Sequence, residues 1–381
     1  MKLKFKIKIC IISILLLLLC TLLVFKSNSY LSDWFSLNIS QYLVTTIGTF
    51  TSALPFSLFE IVIIAFLIVL CAFLITLIKY IIKIKVGKII NLALNLALTC
   101  LIIINLFISI CGVSYQRSEL ELPFYKGEVT SSLVDETINY YLNDYNEIVS
   151  TFSKDENGIS KCPYTFEELS NKMIDECSRL DQFDYFYKFD AKAKGTWFSP
   201  LLSELHITGV DFPFTAEANV NVHMPTIDLP FTIAHEMAHL KGVMREDDAN
   251  TVALYVCITS SDPYIRYSGY FRGFSRLLEI KAYTEHKAYL ELLPLINQQI
   301  YTDQNDYFDF YEEHNLLDDV SKFFNDLYLS LNGEKEGTSS YDDISQSEGT
   351  GNYDEDGYEI RVYTNYSKYQ LLMIQNYLNN N

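Results

Sequence analysis

Long apolar runs crowd the first third of the chain and are missing from the rest. Ile9–Phe25, Ile61–Ile78 and Ile89–Gly112 each approach or exceed the roughly 18–20 apolar residues that cross a bilayer as a helix. Asn91, Asn95 and Asn105 weaken the third run without breaking it. The first run follows a basic stretch and precedes Ser27-Asn28-Ser29, a tolerable cleavage site for a secretory signal. Its length favours an uncleaved anchor instead. Residues 1–112 are therefore expected to form a three-helix transmembrane anchor.

Beyond residue 113 the spacing changes to that of a globular domain. Val129, Leu133, Val134, Ile138 and Leu142 recur every three or four positions and predict a helix over Glu128–Phe152. Thr165 followed by Glu168 reads as a capping box opening a helix to about Leu180. Helical patterns also cover 264–298, 303–331 (stopped by Gly333) and 366–379. One segment alternates, with Val220, Val222 and Met224 on one face and Asn219, Asn221 and His223 on the other. That predicts a strand over 218–224, ended by Pro225. Residues 333–357 are rich in Gly, Ser and acidic side chains and read as a disordered acidic insertion. They imitate the start of an EF-hand loop, but position twelve would be Tyr363 instead of Glu, so no calcium site is expected. The fold class is α+β, mostly helical: the anchor, then a domain over 113–381.

Charge sharpens this division. The net charge of −18 is the sum of +7 over residues 1–112 and −25 over the rest. An acidic domain argues against nucleic acid as a partner. The positive charge is all Lys, at 2, 4, 6 and 8 and again at 79, 83, 85 and 88, whereas 26–60 carries only Lys26. Short Lys-rich flanks stay in the cytoplasm. Three spans then place residues 113–381 outside the cell (plasma) membrane, as part of a multi-pass protein in contact with lipid. Of the eight Cys, only Cys162, Cys177 and Cys257 fall in that domain, and they show no metal-ligand spacing. A Cys162–Cys177 disulfide and free thiols both fit.

The chemistry concentrates in Pro230–Gly242, which contains His235-Glu236-x-x-His239. On a helix, residues i and i+4 share a face, so both imidazoles can point at one ion. Glu236, one residue after the first, falls beside an attacking water instead of on the metal. Ala234, Met237 and Ala238 make the remaining faces apolar, so the helix is expected to be buried, where unpartnered polar groups are costly. That favours metal over two incidental surface histidines. Pro230 suits the first helical turn and Gly242 a sharp stop. A second helix then opens at Arg245, with Ala249, Val252, Ala253 and Val256 at helical spacing. Glu246 and Asn250 are i and i+4, so Glu246 is placed to complete a three-ligand site and Asn250 to hydrogen-bond a ligand. Asp247 and Asp248 are substitutes for Glu246, and an acidic first turn that merely complements the helix dipole is the plainer alternative.

His235-Glu-Met-Ala-His239 resembles the zincin metallopeptidases. The run from Glu246 to Asn250 looks like the second motif of gluzincins, in which Glu is the third zinc ligand. Gly242 also fits the metzincin pattern, but Arg245 stands where that pattern has His. More broadly, the chain resembles an uncharacterised family, a domain of unknown function, of bacterial membrane-anchored zincin-like proteins. The matching stretches are Leu54–Leu58, Pro213–Asn219, Pro230–Asn250 and Arg266–Tyr270. The resemblance implies a zincin-like metallopeptidase domain, a Zn²⁺ cofactor and a peptide or protein substrate. It also implies an edge strand beside the active-site helix that pairs with substrate. If the 218–224 strand is that edge, Asn219, Asn221 and His223 line the cleft. An oxyanion stabiliser is expected from Tyr267, Arg266, Tyr264 or His223. His206, His286 and His314 have no ligand spacing and are expected to be structural. The rival function is a catalytically silent binding or sensing module on the same fold, which would have no use for Glu236. A closed structural zinc site would need a fourth ligand that is not apparent.

Overall fold

A computed structural model describes residues 2–332, 345–354 and 357–381. Three of its helices, α1 (Lys2–Phe25), α4 (Leu58–Ile82) and α5 (Val86–Phe107), are long and apolar enough to cross a membrane. The connector between the first two is itself helical, as α2 (Ser29–Phe35) and α3 (Gln41–Ser52), and Val44 packs into the core of the domain that follows. The Asn residues that interrupt the third run lie against α1. Lys8 donates to the side chains of Asn91 and Asn95 at 2.6 Å, and Asn105 donates to the Leu15 carbonyl at 3.3 Å. These polar groups are paired between the two helices, with Asn105 buried and Asn91 and Asn95 exposed.

The rest is predominantly helical with few strands. Among the described residues ten α-helices follow: α6 (Ser131–Thr151), α7 (Phe166–Ser178), α8 (Ser199–Glu204), α9 (Leu229–Leu240), α10 (Glu246–Ile258), α11 (Pro263–Thr284), α12 (His286–Leu292), α13 (Gln298–Glu313), α14 (Asp318–Asn332) and α15 (Lys368–Asn380). Thr165 and Glu168 form the expected capping box on α7. The pattern over 264–298 is broken at Glu285 and again over 293–297, and that over 303–331 at His314–Leu317. Pro294 marks the second of these breaks, whereas those at Glu285 and His314–Leu317 carry no Gly or Pro and local composition gave no warning of them.

A three-stranded sheet runs in the order β1 (Lys194–Gly195), β3 (Glu217–Val220), β2 (Gly209–Phe212), with β1 parallel and β2 antiparallel to β3. The expected strand over 218–224 is therefore shorter, and it is central instead of an edge. Its ladder stops at Asn221, whose side chain donates to Ser203 Oγ and the Ile207 carbonyl and accepts the His223 N–H, forming a local turn. Within the segment read as a disordered insertion, Gln346–Tyr353 forms β4, paired with β5 (Glu359–Asn365) in a hairpin. Residues 333–344, with the expected stop at Gly333, and 355–356 lie outside the described residues. Cys162, Cys177 and Cys257 are free thiols.

Helix α9 lies at the centre of this domain. Eleven of its twelve residues are buried, and it packs on β2, β3, α7, α10 and α11. Asp228, at its N-cap and fully buried, is held by the Arg272 guanidinium from α11.

Candidate metal centre

The hairpin between α9 and α10 is set by Gly242, whose φ of +86° is open to glycine and whose added Cβ would strike the Tyr187 ring at 2.5 Å. This turn brings the Val243 carbonyl back over His239, which donates to it through Nδ1 at 2.6 Å. Nε2 of His239 therefore faces the α9–α10 interface as a lone pair whenever the ring is neutral. There it lies 3.1 Å from His235 Nε2, and Glu246 Oε2 lies 3.1 Å from His235 Nε2 and 3.7 Å from His239 Nε2. Asn250, one turn after Glu246, lies within hydrogen-bonding reach of the His235 ring. Glu246 is thus the carboxylate turned inward. Asp247 pairs with Lys368 at 2.5 Å, and Asp248 is held by Lys368 and Arg245 at 2.6 Å.

Glu236 stands beside this cluster and outside the ligand set, buried at 4% exposure. Its carboxylate touches β2 so closely that a Cβ on Gly209 would fall 2.4 Å from Oε1. Burial raises its pKa to about 8. Asp211, two residues along β2, lines a small pocket together with His239, and its Oδ1 is buried with no hydrogen-bond partner. Burial raises this carboxyl to about 7. For His239, burial opposes the charged ring, but Glu246, Glu236 and Asp211 together push its pKa up to about 10. Three buried carboxylates around two imidazoles demand positive charge, from a proton or from a cation. Two ring nitrogens and a carboxylate oxygen within 4.8 Å of one another form a set that could hold a metal ion.

Other expected site residues lie elsewhere. Asn219 and Asn221 are fully buried: Asn219 accepts from Ser57 at 2.6 Å and donates to the carbonyls of Val210 and Glu217. They brace the sheet and line no cleft. His223 is exposed against Phe310 and His314. Tyr267 is fully buried with its hydroxyl on Asp303, Arg266 pairs with Asp144 at 3.1 Å, and Tyr264 bonds Thr226 at 3.1 Å. These three side chains turn to the α6 and α13 side of α11 or back to Thr226. The groups that sequence reasoning missed are Asp211 and a pair of phenols, Tyr115 and Tyr328, whose hydroxyls are 2.9 Å apart within electrostatic range of Glu246. Their assembly joins segments distant in sequence, and no local spacing marks it.

Fold and site together define a predominantly helical protein with three span-length apolar helices and a buried His-His-Glu cluster. The chain belongs to the family described as a protein of unknown function, DUF3810, whose model matches residues 35–346. No curated protein and no solved structure matches it.

Proposed function

We propose that this is a multi-pass plasma-membrane, zinc-dependent peptidase whose zincin-like domain, residues 113–381, works on the extracytoplasmic side. The observation that carries the reading is the convergence of His235, His239 and Glu246 with Glu236 held alongside but free of the ligand set. The Lys-rich termini of the spans support the orientation. A zinc ion held by those three side chains would supply Lewis acidity and bring the pKa of a coordinated water toward neutrality. Glu236 is positioned to take a proton from the attacking water and pass it to the leaving amine. The Val243 carbonyl fixes the His239 tautomer, and Asn250 orients the His235 ring.

The test is cleavage of an unbiased peptide library by the zinc-loaded full chain and by Glu236→Gln. Cleavage by the wild type, abolished in the variant with zinc retained, is the expected result. Stoichiometric zinc with no cleavage by either chain would instead establish a silent binding module.

A further inference from the structure

We infer that the metal centre works at the bilayer surface, on polypeptide segments tethered to or emerging from the membrane. This substrate class rests on the peptidase reading above. It follows from where the strand bordering Glu236 is seated. Phe212, at the end of β2, packs on Phe59 in the first turn of α4, with ring centroids 5.0 Å apart. Phe214 follows, 5.5 Å from Phe212 and 6.4 Å from Phe107 at the end of α5. Phe107 in turn lies 6.2 Å from Tyr328, the phenol bonded to Tyr115 near the cluster. One row of aromatic rings thus joins the outer ends of two spans and passes along the strand that touches Glu236.

Those ends coincide with the boundary of the lipid-facing surface. On α4, Phe59 and Glu60 are buried in the domain, and exposed apolar side chains begin at Ile61. On α5 they continue to Leu106 and stop. A strand rise of about 3.3 Å per residue puts Gly209, in contact with Glu236, about 10 Å from Phe212. The catalytic carboxylate is therefore within about 10 Å, along the strand, of the aromatic row at the ends of α4 and α5.

The attachment is rigid. Glu217, from the central strand, accepts the N–H groups of Leu58 and Phe59 at 3.0 to 3.1 Å and binds Lys194 at 2.6 Å. Glu60 accepts the N–H groups of Trp197 and Phe198. Trp197 is 68% exposed there and Leu201 is 50% exposed, although both are large apolar side chains beside a span. A bilayer interface is the occupant that continuity with α4 supplies, and Trp is favoured at that depth. A soluble peptide gains nothing from this arrangement. A chain held in the membrane is delivered to β2 at raised local concentration.

Two measurements on the full chain in phosphatidylcholine vesicles test this. With Trp34→Phe, Trp197 becomes the only tryptophan. Acyl chains brominated near the headgroup should then quench its emission at least twofold, and unquenched emission would overturn the surface placement. Separately, one cleavable peptide is attached to a diacyl lipid through a spacer of about three or about twenty residues. The short spacer should raise cleavage at least tenfold over the long one and over the free peptide, whereas equal rates or the reverse order would overturn the substrate class. Quenching without cleavage of any peptide would sink the peptidase reading, and the substrate class with it, while leaving the placement standing.

Discussion

The contact between Gly209 and Glu236 gives a direct handle on mechanism. In Gly209→Ala the new methyl would sit 2.4 Å from Glu236 Oε1, 2.6 Å from Cγ and 2.7 Å from Cδ. Ordinary contact distances between such atoms are about 3.5 Å, so the carboxylate must retreat by about 1 Å. Misplacing a catalytic group by that much costs about 100-fold in rate, and losing a general base altogether costs about 100- to 10,000-fold. The three atoms nearest the methyl all belong to Glu236, and none to the three ligand side chains. The variant should therefore lose about 100-fold in kcat on a cleaved peptide while binding zinc with unchanged affinity. Overpacking should lower stability by about 1–3 kcal/mol, small enough to leave the fold intact. Steady-state kinetics beside metal titration separate the two effects. Unchanged kcat would refute the placement of Glu236 against β2 as the working geometry. Loss of metal with loss of rate would refute its separation from the ligand set.

Three further outcomes follow from the same geometry. Glu246→Gln should weaken zinc binding by more than the roughly 10- to 100-fold typical of an outer-sphere partner, while Asp247→Asn, tied to Lys368, should leave it unchanged; a titration in which Asp247→Asn matters as much would reassign the ligand. Tyr267→Phe should cost stability, leaving Asp303 short of a donor, with kcat untouched; a fall in kcat at constant Tm would return Tyr267 to the site. Asp211 gives a pH signature in the metal-free chain. Burial raises its carboxyl to about 7, against about 3.9 when unfolded, so the folded state binds its proton more tightly. Its contribution to stability is full below about pH 4 and is lost as pH rises toward 7. Asp211→Asn should thus raise Tm more at pH 8 than at pH 5, and an equal gain at both would contradict its burial as a carboxyl.

What the sequence disclosed was local. Spacing of four on one helix face announced His235 and His239, and Gly242 announced the turn that brings Glu246 back to them. Apolar run length announced the three helices long and apolar enough to cross a membrane. The failures are non-local. Asp211 and Gly209 reach Glu236 only because β2 folds back against α9, and nothing in the composition of residues 209–212 marks that. The alternation over 218–224 predicted a strand and the zincin resemblance implied that it was an edge, but Asn219 and Asn221 spend their amides on neighbouring carbonyls inside the fold. Tyr267 follows the motif closely in sequence, yet the face of α11 that carries it turns toward α13 and Asp303. The packing of β2 against the ends of α4 and α5 was equally hidden, since it depends on Phe59, Phe107, Phe212 and Phe214 meeting from separate segments.

The central claim is a metal held by His235, His239 and Glu246, and elemental analysis of the purified full chain tests it most directly. The account predicts one zinc per chain, retained in Glu236→Gln and lost in the His235→Ala, His239→Ala double variant. Absence of zinc from the wild type after supplementation, or equal zinc in the double variant, would contradict it.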